Sequence, residues 1–208
     1  RHGYAKTDQL YDIARAADGG YFAVGYTNSK GAGGDDGWVV RLASDGTVLW
    51  DRTFGGAAND HLRGLSVVAG DKFAVAGETY SNGPGGADIW MLGLDATGNV
   101  DWEKQHGNAK DDVATGLARM DNGALAVGGH SFAKNATSPS FRLLVTDAFG
   151  NGSCGDGGAC HALDAPTCDD KNSCTSDGCN AMSGCVHNKL ADGTGCGGAK
   201  KCAAGVCK

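Results

Sequence analysis

Cysteine is absent from the first 153 residues of this 208-residue chain, and all nine cysteines crowd between Cys154 and Cys207. That change in composition divides the sequence into residues 1–153 and a cysteine-rich module at 154–208. Proline is scarce, 3 residues against 36 glycines, and the glycines follow no Gly-X-Y period. A collagen helix is therefore excluded and a loop-rich, strand-rich chain is indicated. Basic runs are missing too: 18 Lys and Arg stand against 24 Asp and Glu, for a formal charge of −6. The electrostatic footprint of a nucleic-acid binder is lacking, so no such partner is expected. No stretch approaches the roughly 18 apolar residues of a membrane-spanning helix, and the longest, such as Ile89 to Leu94, is strand-sized. The chain opens on Arg1, with neither Met nor a signal peptide, which reads as a processed product or a piece of a longer protein.

What the sequence does have is a period. Asp8, Asp60 and Asp112 stand 52 residues apart, as do Gly25, Gly77 and Gly129, and Gly46, Gly98 and Gly150. Trp38 falls on Trp90, and Trp50 on Trp102. Fixed-period self-similarity of this length marks a repeat architecture, here with units at about 1–52, 53–104 and 105–153. Each unit holds four short runs rich in small, β-branched or aromatic residues, separated by Gly, Asp and Asn turn signals. In the second unit the predicted strands are roughly 62 to 69, 72 to 79, 87 to 95 and 98 to 105. Asp45-Gly46 and Thr97-Gly98 carry tight-hairpin chemistry. The fold class expected is all-β: three four-stranded blades of a β-propeller, partial or completed by oligomerisation, followed by a small loop-dominated module.

The phrase from Gly33 through Gly34-Asp35-Asp36-Gly37-Trp38-Val39-Val40-Arg41 to Leu42 is followed by Asp45-Gly46, a Trp and Thr53-Phe54-Gly55-Gly56. It resembles secreted bacterial propeller-repeat proteins, over about three quarters of the chain. The resemblance implies a propeller fold and an extracellular address and lends no catalytic residues. Leu94-Asp95-Ala96-Thr97-Gly98 with Trp102 is similar to the tryptophan-docking repeats of quinoprotein dehydrogenase propellers. The turn is a residue short and no adjacent-cysteine pair accompanies it, so no quinone cofactor is expected.

A propeller ring takes roughly 4–8 blades, and three are present. Arg1 aligns with Thr53 and Gln105, at the end of a fourth strand, as though a preceding blade finished there. A truncated array, two chains closing a six-bladed ring, or an open arc covered by the tail or a partner all fit. In the third unit Cys154 stands where Trp50 and Trp102 stand in the others, and Asn151 to Gly158 lacks apolar residues for a fourth strand.

The tail is too small and apolar-poor to fold on a core, so its cysteines are read as disulfide staples: Cys154, Cys160, Cys168, Cys174, Cys179, Cys185, Cys196, Cys202 and Cys207. Cys168, Cys174 and Cys179 recur 28 residues on as Cys196, Cys202 and Cys207. Two-residue gaps between cysteines, the commonest zinc-knuckle spacing, do not occur, so disulfides and an oxidising, secreted or cell-surface location are favoured. Nine is odd, so one thiol is free or pairs outside the chain. The phrase around Cys196, followed by Cys202 to Cys207, looks like cysteine-rich stretches of secreted adhesive and protease-associated proteins, which implies a scaffold and not an activity.

Catalytic phrases are missing: no Gly-x-Ser-x-Gly, no His-Glu-x-x-His and no phosphate loop occurs. The six histidines, His2, His61, His106, His130, His161 and His187, are scattered. Asp8, Asp60 and Asp112 are read as once-per-blade Asx-turn acceptors ahead of the first strand, and Asp36 and Asp88 as loop carboxylates of the same kind. Trp50 and Trp102 are expected to dock between blades with the indole N–H held by backbone. Calcium is the remaining cofactor candidate, with Asp169, Asp170, Asn172 and Asp177 as oxygen ligands, though the EF-hand Gly and Glu are lacking and a solvated acidic loop is preferred. Asn135 and Asn151 match glycosylation acceptors. These readings favour a non-enzymatic extracellular binding, adhesion or scaffold module, whose partner is a surface glycan, a protein, or the chain itself. The alternative is a glycan hydrolase or lyase, which requires ionisable residues that break the repeat, with His61 or His130 as the places to look.

Overall fold

The computed structural model describes residues 3–132, 137–153, 175–180, 184–189, 192, 194–197, 200–203 and 206–207. Among them every regular element is a strand. Three four-stranded antiparallel sheets follow one another along the chain. The first holds β1 (Asp8–Arg15), β2 (Tyr21–Thr27), β3 (Asp36–Leu42) and β4 (Val48–Phe54). In the second are β5 (Asp60–Ala69), β6 (Lys72–Thr79), β7 (Asp88–Leu94) and β8 (Val100–His106). The third contains β9 (Asp112–Arg119), β10 (Leu125–Ser131), β11 (Ser140–Thr146) and β12 (Gly152–Ser153). In each sheet, strands pair in chain order as an up-and-down meander. The third sheet's last strand spans two residues where β4 and β8 span seven, as expected from the lack of apolar residues after Gly150.

Turn chemistry fixes the meander. Gly46, Gly98 and Gly150 have φ of +85°, +80° and +73°, and each amide bonds the carbonyl three residues back. Only glycine adopts that left-handed position without steric cost, so the 52-residue recurrence of these glycines is a recurrence of one turn. A bulge repeats as well. The pairing register slips between Leu10 and Asp12, between Leu62 and Gly64, and in β9 opposite Gly128 and Gly129, which leaves Tyr11, Arg63 and Thr115 as the extra residues. Gly25, Gly77 and Gly129 face these bulges, and a Cβ there would lie 1.8, 1.9 and 1.9 Å from the carbonyl oxygens of Gln9, His61 and Val113. The second repeated glycine is thus required by close backbone approach.

The sheets lie side by side, each first strand against the sheet before it: β5 packs on β1, β2 and β3, and β9 on β5, β6 and β7. Strand alternation supplies both sides of each seam. Phe22, Val24 and Val39 of the first sheet meet Leu62, Leu65, Phe73, Val75, Trp90 and Leu92 of the second. From the opposite face of the second sheet, Ala74, Ala76, Ile89 and Met91 meet Ala114, Leu125, Val127 and Leu144 of the third. β6 and β7 are therefore buried on both faces, which is why their sequences read as continuous apolar runs. The chain is a repeat of propeller-like sheets.

The described parts of the tail are two small antiparallel units. β13 (Thr175–Asn180) pairs with β14 (Gly184–Lys189), and β15 (Gly195–Gly197) with β16 (Lys200–Ala203), which pairs with β17 (Val206–Cys207). Cys179 stands opposite Cys185, and Cys202 opposite Cys207. Cys202 and Cys207 are each in a disulfide, and no cysteine among the described residues is free.

Candidate functional site

The polar residues that recur at 52-residue spacing recur in their bonds. Asp8, Asp60 and Asp112 open the first strand of each sheet, and each carboxylate accepts the amide four residues back, from Tyr4, Gly56 and Asn108. Asp8 and Asp60 also accept from the hydroxyls of Thr27 and Thr79 on the second strand. In the third sheet, where Ser131 takes the Thr position, Arg142 donates to Asp112 instead at 2.6 Å. Asp60 is completely buried and takes a third bond from Ser81 at 2.6 Å. These carboxylates hold loops to strands. Asp36 is buried among the amides of Ala32 and Gly33, and Asp88 is buried and accepts from the Gly85 amide at 3.3 Å.

The indoles divide into two sets. Trp38 and Trp90 donate Nε1–H to Asp51 at 2.8 Å and Glu103 at 2.7 Å, on the neighbouring strand of their own sheets. Trp50 and Trp102 edge the first and second seams, where a Cβ on Gly98 or Gly150 would lie 2.9 or 2.5 Å from the ring, so each indole rests on the next sheet's hairpin turn. The indole N–H bonds to carboxylates belong to Trp38 and Trp90.

A buried cluster between the first and second sheets breaks the repeat. At positions 61, 63 and 78 the second unit has His, Arg and Glu where the first has Gln9, Tyr11 and Tyr26 and the third has Val113, Thr115 and His130. Glu78 projects from β6 with its side chain 3% exposed. It accepts two bonds from Arg63 Nε, at 2.9 and 2.7 Å, and one from His61 Nδ1 at 2.8 Å. His61 Nε2 reaches Asp35 of the first sheet at 3.2 Å. A carboxylate only accepts, so both ring nitrogens donate and the ring is held as a cation. Burial works against that charge, but the bonds to Glu78 and Asp35 outweigh it and the His61 pKa is raised. Burial also opposes the Glu78 charge, and His61 and Arg63 outweigh it to hold the carboxyl low. Two tyrosines of the first sheet complete the cluster. Arg63 lies 4.9 Å over the Tyr11 ring, and Tyr26 packs 4.7 Å from His61.

Chemically this arrangement is closed on itself. Both Glu78 oxygens accept bonds from within the cluster, and both His61 nitrogens face carboxylates. The sequence pointed to His61 beside Asp60. In the fold Asp60 bonds Thr79 and Ser81, and the partners of His61 are Glu78 and Asp35.

The chain's likenesses to other proteins are partial. The Dictyostelium (slime mold) repeat matches residues 167–190 of the tail. The regulatory protein FlaEY of Caulobacter vibrioides is 30% identical over 138 residues, 59% of this chain. That match spans 14% of the relative's length.

A second concavity sits where Gly93 replaces Arg41. In the first seam the Arg41 guanidinium lies 4.5 Å over Phe22 and pairs with Asp18 at 2.6 Å. In the second seam the Trp102 indole lies against Gly93, where a Cβ would come within 2.1 Å of its Nε1, and a cavity of about 330 Å³ beside it is lined by Phe73, Leu94, Trp102 and Phe149, with Lys72 and Asp101. His106 lies in the same seam; burial lowers its pKa, and its Nε2 donates to Gly150 O at 2.9 Å. His130 stands on β10 opposite Val113 and Phe141. Of the calcium candidates, Asp177 is on β13 opposite His187, and Asp169, Asp170 and Asn172 lie outside the described residues. So do Cys154, Cys160, Cys168, Cys174, His2, His161 and Asn135. Asn151 donates its side-chain amide to Asp147 at 2.8 Å. Among the described residues no group of three or more His, Cys, Asp or Glu is placed to hold a metal, and no helix is long and apolar enough to cross a membrane.

Proposed function

We propose that the chain is a non-enzymatic extracellular binding or scaffold module, a propeller arc with a disulfide-stapled tail, whose loops and faces engage a surface glycan, a protein or another copy of itself. The observation that carries this reading is that the buried His61–Glu78 cluster, which breaks the repeat, is held by internal partners: both His61 nitrogens face carboxylates and both Glu78 oxygens accept bonds within the chain. The repeated carboxylates are likewise spent on loops, so what remains for partners is loop surface and sheet face. The disulfides at Cys202 and Cys207 support an oxidising compartment.

The second reading is an enzyme acting on glycans, a hydrolase or lyase. It is favoured by the asymmetry itself, since His61, Arg63 and Glu78 belong to one repeat only. A glycan and protein array probed with the oxidised chain, run beside turnover assays on the captured glycans, separates the two. Capture without turnover is expected. Turnover abolished by Glu78→Gln supports the enzyme, and neither capture nor self-association at millimolar ligand counts against the binding module.

A further inference from the structure

The cavity beside Trp102 combines aromatic walls with a neutral ion pair, and we propose that it takes one uncharged pyranose ring of a glycan. This inference rests on the binding-module reading above and gives its glycan a place. The walls come from the β5–β6 and β7–β8 hairpins of the second sheet and the β11–β12 turn of the third. At about 330 Å³ the cavity lies at the low end of the roughly 300–1,000 Å³ of small-molecule sites, a size for a single ring. Both aromatic groups are held by rigid backbone. The Trp102 indole is seated on Gly93 and Gly150. Phe149 is 62% exposed, yet its turn is fixed, because the Asp147 carboxylate accepts the amides of Phe149 and Asn151 at 2.8 and 2.9 Å.

Three residues around the cavity have no counterpart in the other repeats. Phe149 stands where the first and second units have Asp45 and Thr97, Lys72 where the others have Gly20 and Ala124, and Asp101 where they have Leu49 and Ser153. The same turn forms on Asp or Thr, and the first sheet forms without the ion pair, so the fold requires none of the three. The class of ligand follows from their chemistry. Lys72 Nζ and Asp101 Oδ2 pair at 2.7 Å with their side chains 60% and 37% exposed, so the site offers a donor and an acceptor and no net charge. A charged ligand would be repelled by one partner as it is attracted by the other. A wholly apolar ligand would strip water from the pair and return no hydrogen bond. A neutral pyranose lays its apolar C–H face on the aromatic rings, while hydroxyls at its edge accept from the ammonium and donate to the carboxylate.

The test is a titration of the full oxidised chain with methyl glucoside, methyl galactoside, methyl mannoside and N-acetylglucosamine, and with cellotriose and chitotriose, read at the indole N–H resonance of Trp102. At least one monosaccharide should move that resonance saturably, and its trisaccharide should bind about equally, because the cavity holds one ring. Phe149→Thr installs the residue of the second repeat, and Asp101→Asn removes the charge. Each should weaken binding about tenfold with an unchanged far-UV spectrum. Phe141→Ser, at an exposed aromatic of the third sheet outside the cavity, should leave binding unchanged. A Trp102 resonance that no sugar moves, one that indole moves and the sugars do not, a response to trisaccharides alone, or binding indifferent to both Phe149→Thr and Asp101→Asn overturns the proposal. Capture of a glycan or a protein with the Trp102 resonance unmoved would sink this site and leave the binding module standing.

Discussion

His61 Nε2 and Asp35 Oδ2 meet at 3.2 Å across the seam between the first and second sheets, so one imidazole ties two repeats through its ring nitrogens. Because its pKa is raised by hydrogen bonds that outweigh burial, the folded chain holds this proton more tightly than the unfolded chain. The resulting stability is fully present below the unfolded value of about 6.5 and drains away as pH rises through the folded value. His61→Gln introduces the residue that the first repeat carries at Gln9. Urea unfolding should give a stability gap between wild type and variant that is wide near about pH 5.5 and narrow near about pH 9. A gap constant with pH would remove the ionic clasp.

Gly77 has no room for a side chain. Its Cβ would sit 1.9 Å from the His61 carbonyl, a clash with backbone at the bulge that no rotamer change relieves. Gly77→Ala should cost about 3 kcal/mol in denaturant unfolding. The control is Gly128→Ala, where the added carbon meets nothing within 4 Å and the equivalent residue of the second sheet is Ala76. There the change should be about zero or slightly stabilising.

The repeated aspartates can be tested as structural parts. Asp60→Ala strands three donors at a buried site, the Gly56 amide and the hydroxyls of Thr79 and Ser81, and should cost about 3 kcal/mol. Asp8→Ala, half-buried at the start of β1, should cost less, about 1 kcal/mol. Equal and negligible effects at both sites would return these carboxylates to candidacy as ligands.

The repeat and most strand positions were legible because hairpin glycines, bulge glycines and buried two-faced strands each leave a residue-level mark at a fixed interval. The prediction of 72 to 79 for the central strand coincides with β6, and 62 to 69 misses only the start of β5 at Asp60. The ionic cluster was half legible. The departure of His61 from Gln9 and Val113 is visible in the sequence, but its chain neighbour Asp60 is not its partner. In a strand, adjacent side chains point to opposite faces, and the partner lies across the ladder, at the register pair His61 and Glu78. Comparing all three residues at positions 61, 63 and 78 with the other repeats would have found the cluster as one substitution pattern. Gly93 in place of Arg41 lets the Trp102 indole lie against the strand, a difference whose meaning depends on knowing that position 93 faces a seam.

Reduction should divide the chain along its composition boundary. All nine cysteines lie from Cys154 onward, so the three sheets contain no bond that a reductant attacks. Their unfolding midpoint should be the same in oxidised and reduced protein, because their stability comes from the two apolar seams. The tail has few apolar residues, and its described strands are short, so the constraint on its unfolded chain comes from bonds such as those at Cys202 and Cys207. Limited proteolysis should therefore leave residues 1–153 intact in both states and degrade the tail much faster after reduction. Equal tail resistance in the reduced protein would show that the staples do not hold it, and a lowered midpoint for the sheets would show that the tail braces them.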